Sequence, residues 1–200
     1  SIVMRWTRTQ DYYDKASWRG TWKNDGGVLA NQGIHFLDAL IWLIGDVDSV
    51  NALSKNAILN IEAEDTLIGL LKFKSGAFST IEFTTATRPT DLEGSITLLG
   101  TKGSCKIGGF AMNSLSFLST ESGLSADSFP NDIENPETYA YSHKNYYEEV
   151  VNSIINNIEP PVSGHEGLSS LKLVHALYAS CEYGHEIYVD NTLVSKLGNG

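Results

Sequence analysis

The sequence is short of positive charge. Its 200 residues include 14 Lys and Arg against 24 Asp and Glu, a formal net charge of −10. An acidic chain without a basic stripe is not built for nucleic acid or for an anionic membrane surface. That excludes bulk polyanions and leaves a small basic pocket open. Cysteine is scarce as well: Cys105 and Cys181 stand alone, at no metal-like spacing. They read either as a disulfide or as two reduced thiols, and the second fits a cytoplasmic protein. No apolar run reaches the ~18–20 residues of a membrane span, because Asn31, Gln32, His35 and Asp38 interrupt the longest one. The opening residues do not read as a leader peptide. It starts in what reads as mid-strand and is expected to be part of a longer protein. Catalytic signatures are missing too: there is no G-x-G-x-x-G after a strand, no P-loop and no G-x-S-x-G elbow. Leu99-Gly100-Thr101-Lys102-Gly103 has two glycines and a lysine but lacks the spacing and the following helix of a phosphate loop, so it reads as a hairpin.

What is present is a core-forming composition, 42% hydrophobic and only 19% charged. That is below the usual ~25% charged and leaves room for a buried subunit or domain interface. Alternating or β-rich segments predict strands over residues 2–8, 50–56, 65–73, 77–85, 95–99, 104–107 and 114–118, with a last one over 185–189. Turns at Lys74-Ser75-Gly76 and Gly100-Thr101-Lys102-Gly103 are short, so neighbouring strands run antiparallel. Residues 121–135 read as a loop. Tyr146, Tyr147, Val150, Val151, Ile154, Ile155 and Ile158 then follow helical spacing up to Pro160-Pro161. Ser163-Gly164-His165-Glu166 is a capping box opening a second helix, with Leu168, Leu171, Val174, Leu177, Tyr178 and Cys181 inward. The expected fold is α+β: one large, mostly antiparallel sheet with helices packed on one face, the open face used for oligomerisation.

The stretch from Asp25 to Gly45 organises the rest. It begins with Gly26-Gly27, which let the backbone approach something closely, and ends at Gly45, a C-cap glycine. Asp25 is placed to cap the helix between. Asn31, His35 and Asp38, at i, i+4 and i+7, share one helical face. Such a polar stripe is either a core helix with satisfied contacts or one wall of an active site. His35 with Asp38 alone makes no metal site. An amide one turn from an imidazole can orient it, and imidazole moves protons at neutral pH. Residues 11–22 precede this helix with two Tyr and two Trp, which either cover a core edge or line a ligand site.

These motifs together resemble the C-terminal domain of the Gfo/Idh/MocA family of NAD(P)-dependent oxidoreductases. The carrying residues are Trp18-Arg19-Gly20-Thr21-Trp22, Asp25-Gly26-Gly27-Val28-Leu29, Asn31-Gln32-Gly33-Ile34-His35-Phe36-Leu37-Asp38 and Trp42-Leu43-Ile44-Gly45. Glu64-Asp65-Thr66, Ser75-Gly76-Ala77, Gly164-His165-Glu166-Gly167-Leu168 and Ala176-Leu177-Tyr178-Ala179-Ser180 agree with them. The resemblance implies a single substrate-binding and oligomerisation domain over residues 1–200. It further implies a missing N-terminal Rossmann domain that binds NAD or NADP, so this chain alone should be inactive and contributes no cofactor-binding or metal residue. His35 becomes the acid/base that takes the hydroxyl proton as hydride leaves a sugar, nucleotide-sugar or cyclitol. Asn31, Trp18, Arg19 and Asp38 become substrate-binding residues. Many members carry Asp where this chain has Asn31, and Asn cannot balance an imidazolium charge. Two other readings stay within the family: a glycoside hydrolase that recycles its NAD, and a sugar-responsive regulator without catalysis. A cytoplasmic homo-oligomer is expected in each.

Overall fold

The computed structural model describes residues 1–109, 112–129, 137–189 and 194–199, with the backbone alone for 137–142. Among the described residues eight strands form one sheet, in the order β7-β6-β5-β1-β4-β3-β2-β8. The strands are β1 (Ile2–Arg5), β2 (Val47–Lys55), β3 (Thr66–Phe73), β4 (Phe78–Thr84), β5 (Glu93–Gly100), β6 (Gly103–Gly108), β7 (Ser114–Thr120) and β8 (Ile187–Tyr188). Four α-helices accompany them: α1 (Gln10–Asp14), α2 (Ile34–Ile44), α3 (Glu137–Asn156) and α4 (Gly164–Tyr183). The sheet is antiparallel apart from β1 and β4, which run parallel with Ile2 opposite Ile81. This is the α+β architecture the alternation and short turns predict. The chain divides into two compact units, Ser1–Ile96 with Ser169–Gly200, and Thr97–Leu168.

In the first unit, alternate strand residues point to one face and are buried there. Ile2 and Met4 of β1, Leu67 and Leu71 of β3, and Ile81 and Phe83 of β4 make that floor. Phe36, Leu37 and Leu40 of α2 and Leu173, Val174 and Leu177 of α4 cover it. Phe36 lies 6.3 Å from the Phe83 ring, and Ser180 of α4 accepts the Ala52 N–H of β2 at 3.0 Å. The buried side of α4 is thus centred on Leu173, Val174 and Ala176–Ser180, where small residues admit close approach. Leu168 and Leu171, expected inward, are about 40% exposed. On the opposite sheet face Leu53, Ile68, Leu70 and Phe78 are exposed, with Leu53 directly across from Ile68.

Several boundaries differ from the sequence reading. β1 ends at Arg5, and residues 10–14 form the short α1. Between Leu29 and Gly33 the chain makes a π-helical turn that runs into α2. Gly45 closes α2 at φ +101°, donating its N–H to the Ile41 carbonyl at 2.8 Å.

In the second unit the β6–β7 ladder runs from Gly103↔Thr120 to Gly108↔Ser114. The loop after it holds a single 3-10 turn at Ala126–Ser128, and its later part lies outside the described residues. Helix α3 forms where the apolar period predicts one. Its Tyr147, Val151, Ile154 and Ile155 are nonetheless exposed. The capping box of α4 is made: Ser163 donates its N–H to Glu166 Oε2 at 2.6 Å, and Glu166 its N–H to Ser163 Oγ at 3.3 Å.

Candidate active site

The helix that carries Asn31 and His35 is entered from the aromatic loop, and Asp25 ties the two together. Its Oδ2 accepts the Gly20 N–H at 2.9 Å, and its Oδ1 accepts the Asn31 amide. Asp25 is therefore not the helix cap that its position in the sequence implied. Its carboxylate is consumed sideways, and Gly26 at φ +68° turns the chain before the helix begins.

The free N–H groups of the first turn are satisfied instead from the core. Val28 N–H donates to the Glu64 carbonyl and Leu29 N–H to Glu64 Oε1, both at 2.9 Å. Gly27 N–H and Ala30 N–H both donate to the Tyr178 hydroxyl, at 3.1 and 3.3 Å. Tyr178 donates its own proton to Glu64 Oε1 at 3.0 Å. The close approach allowed by the glycine pair is to Glu64: a Cβ on Gly27 would lie 2.1 Å from the Glu64 carbonyl oxygen. Burial pushes the Glu64 carboxyl up to about 7, against an ordinary value of 4.5. Burial also raises Tyr178 well above the ordinary tyrosine value, with the Glu64 charge second, so it stays a neutral phenol. Sequence reasoning placed Tyr178 in the core and gave Glu64 no task. The one signal available was the glycine pair with no stated partner.

Asn31 sits in the π-helical turn, half-buried, and the bonds its amide makes run to Asp25 and Gln32 rather than to His35. A carboxylate thus stands directly behind Asn31, on Asp25. His35 stands on the first turn of α2 and is exposed. Asp38, one turn further, is also exposed and accepts a hydrogen bond from Ser170 of α4. π-helical turns put one extra residue into a helix and shift which side chains line up, and they concentrate at functional sites.

Trp18 and Arg19 form a separate aromatic–cationic group. The Arg19 guanidinium lies 4.1 Å from the Tyr12 ring centroid and 5.3 Å from that of Trp18, and donates to the Tyr12 carbonyl at 2.6 Å. Arg19 lines a pocket with Gln10, Tyr13, Asn60 and Glu62, from which Asn31 and His35 are absent. The structure joins the two groups through Gly20, which follows Arg19 and donates to Asp25, and through Thr21, whose carbonyl accepts the Asp25 and Gly26 N–H groups and whose hydroxyl donates to the Trp18 carbonyl. Asp65, beside Glu64, is occupied with loop geometry: it accepts the N–H groups of Ala57, Ile58 and Leu59 at 2.8–2.9 Å.

Among the described residues no group of three or more His, Cys, Asp or Glu could hold a metal. Nor do they form a dinucleotide cradle: the one parallel pair, β1 with β4, is not bridged by a Gly-rich turn into a helix.

The model of the oxidoreductase family's C-terminal alpha/beta domain matches residues 2–190, and the chain belongs to that Gfo/Idh/MocA family. Among solved structures, the WlbA dehydrogenase from Bordetella pertussis, in complex with NADH and UDP-GlcNAcA, is 40% identical. The match covers 96% of this chain and 56% of that one, at a TM-score of 0.86. The WlbA dehydrogenase from Chromobacterium violaceum, also with NADH and UDP-GlcNAcA, is 39% identical over 96% of this chain and 54% of its own, at 0.82. Levoglucosan dehydrogenase shares the fold at a TM-score of 0.80 and 15% identity, over 96% of this chain and 58% of that one. The chain spans about half the length of these solved relatives. No curated protein matches it.

Proposed function

We propose that this chain is the substrate-binding domain of a longer NAD(P)-dependent dehydrogenase that oxidises a hydroxyl of a nucleotide-linked sugar. The observation that carries the reading is the placement of His35. It is exposed on the first turn of a helix whose start is locked into the core, one turn after an amide held by a carboxylate. A nicotinamide held outside this chain supplies the hydride acceptor. Within this chain, His35 takes the hydroxyl proton, and Asn31, fixed by Asp25, hydrogen-bonds the sugar. Asp38 extends the polar face. Trp18 offers a ring face for stacking, with Arg19 held beside it.

The nucleotide-sugar class is supported by the two relatives near 40% identity, both of which hold UDP-GlcNAcA. Self-association through the open sheet face is part of the same reading, since Leu53, Ile68, Leu70 and Phe78 form an apolar surface there. Calorimetric titration of the intact protein with a UDP-linked sugar uronate, and separately with the free sugar, tests the substrate class. Binding of the nucleotide-linked form is expected; equal or tighter binding of the free sugar would reject it.

A further inference from the structure

The Glu64–Tyr178 pair has no task in the reading above, yet both side chains are buried, at 3% and 1% exposure. A carboxyl with no cation beside it is strongly disfavoured in such a place. Helix capping alone does not require it, because a Ser, Thr, Asp or Asn just before the first turn satisfies the same donors locally. Here the donors are met by groups reaching in from Glu64, just before β3, and from Tyr178 of α4. The helix start is therefore held from the core as well as from the loop.

The hydrogen-bond count is closed except at one atom. The Tyr178 oxygen receives two N–H groups, so its proton goes to Glu64 Oε1. Oε1 then receives Tyr178 O–H and Leu29 N–H, which uses both its lone pairs. Glu64 Oε2 is buried with no hydrogen-bond partner. It is pressed against Gly27, where a Cβ would lie 2.2 Å away. A charge on that oxygen faces a Cα and no donor. The turn it presses on leads directly into Asn31, whose N–H bonds the Gly27 carbonyl at 3.1 Å, and one turn later to His35.

We propose that Glu64 is a positioning residue for Asn31 and His35. With Tyr178 it sets the height and rotation of the π-helical turn, and the proton on its unpartnered Oε2 decides how tightly that turn is held. The proposal rests on the reading of His35 as the acid/base only for its effect on turnover; the device itself stands without it. The titratable groups that face Glu64 are Asp65 beside it, Tyr13 of α1, and Tyr178 and Cys181 of α4, none of them cationic. Burial first and the Asp65 charge behind it hold the carboxyl up to about 7. The proton is thus exchanged in the range where such an enzyme works.

The test is nuclear magnetic resonance of the intact protein from about pH 5 to about pH 9, with amide shifts and amide exchange at residues 27–31 as readouts. In the wild type, the Leu29 and Ala30 amides are expected to share a titration step near pH 7. Glu64→Gln keeps the neutral shape and is expected to lose that step. Tyr178→Phe strips Gly27 and Ala30 of their acceptor, and their exchange should quicken about tenfold or more. A step that survives in Glu64→Gln, or none in the wild type, overturns the proposal. If Glu64→Gln does not fold, Tyr178→Phe decides alone, and unchanged exchange at residues 27–31 overturns it. In the longer enzyme, kcat against pH should lose the same limb in Glu64→Gln with KM little changed. If the wild type turns over no nucleotide sugar, the functional reading fails while the resonance result still judges the positioning role.

Discussion

Replacing Glu64 by Gln should make this protein more stable at neutral pH, by an amount the structure sets. The carboxyl titrates near 7 in the fold, against an ordinary value of 4.5 for an open chain. Between those values the unfolded chain has released its proton and the folded chain still holds it. The folded state binds more protons there, so stability falls as pH rises. The contribution of the neutral carboxyl is complete below 4.5 and gone above 7. At about 1.4 kcal/mol per pH unit the loss reaches about 3 kcal/mol. Gln occupies the same space, accepts the same two bonds on its oxygen and never charges. The variant should match the wild type near pH 4.5 and exceed it at pH 7 by up to about 3 kcal/mol, or about 6–12 °C in Tm for a chain of this size. Urea unfolding of both proteins across that range, taken as a difference, isolates the group. It cancels His175, which burial lowers and which therefore favours the fold as pH rises through its range. A difference that does not change with pH, or one that grows as pH falls, would refute the reasoning.

Other substitutions test other parts. Gly27→Ala drives a methyl into the Glu64 carbonyl and carboxyl and should cost about 1–3 kcal/mol or more, measured by denaturant unfolding. Gly45→Ala, with nothing within 4 Å of the new Cβ, should cost only the positive-φ penalty of about 1–2 kcal/mol. Ser163→Ala removes one half of a made capping box, and a loss of about 1 kcal/mol is expected in the same assay. Ile68→Asp combined with Leu70→Asp places two charges on the open sheet face. Sedimentation should then show a folded monomer where the wild type self-associates; a wild type that is monomeric when concentrated would reject the interface.

The fold was legible where the pattern was local. Residues 65–85 are two β-rich segments about Lys74-Ser75-Gly76, the second alternating around Ile81 and Phe83, and form β3 and β4 almost as read. Ser163 and Glu166 carry their cap in four letters, and the structure makes both bonds. What could not be read depends on distant contacts. Asp25 has the look of an N-cap, but two partners, Gly20 and Asn31, claim it. The true cap comes from residues 64 and 178, which no period connects to residue 27. The π-helical turn likewise answers to tertiary contacts rather than to propensity. For α4, spacing marked one stripe as inward, whereas Ala176, Ala179 and Ser180 widen the buried side because they are small. The polar stripe was visible as residue types. That Asn31 is held by Asp25, and that Trp18 and Arg19 group with Tyr12, was not.

The central claim is that His35 moves the proton in sugar oxidation. It is tested most directly by steady-state turnover of the longer enzyme with a UDP-linked sugar uronate and NAD, comparing wild type with His35→Asn. The substitution sits at an exposed position and should leave folding and nucleotide-sugar binding intact. kcat is expected to fall about a hundredfold to ten-thousandfold. Turnover within a few-fold of wild type would contradict the account.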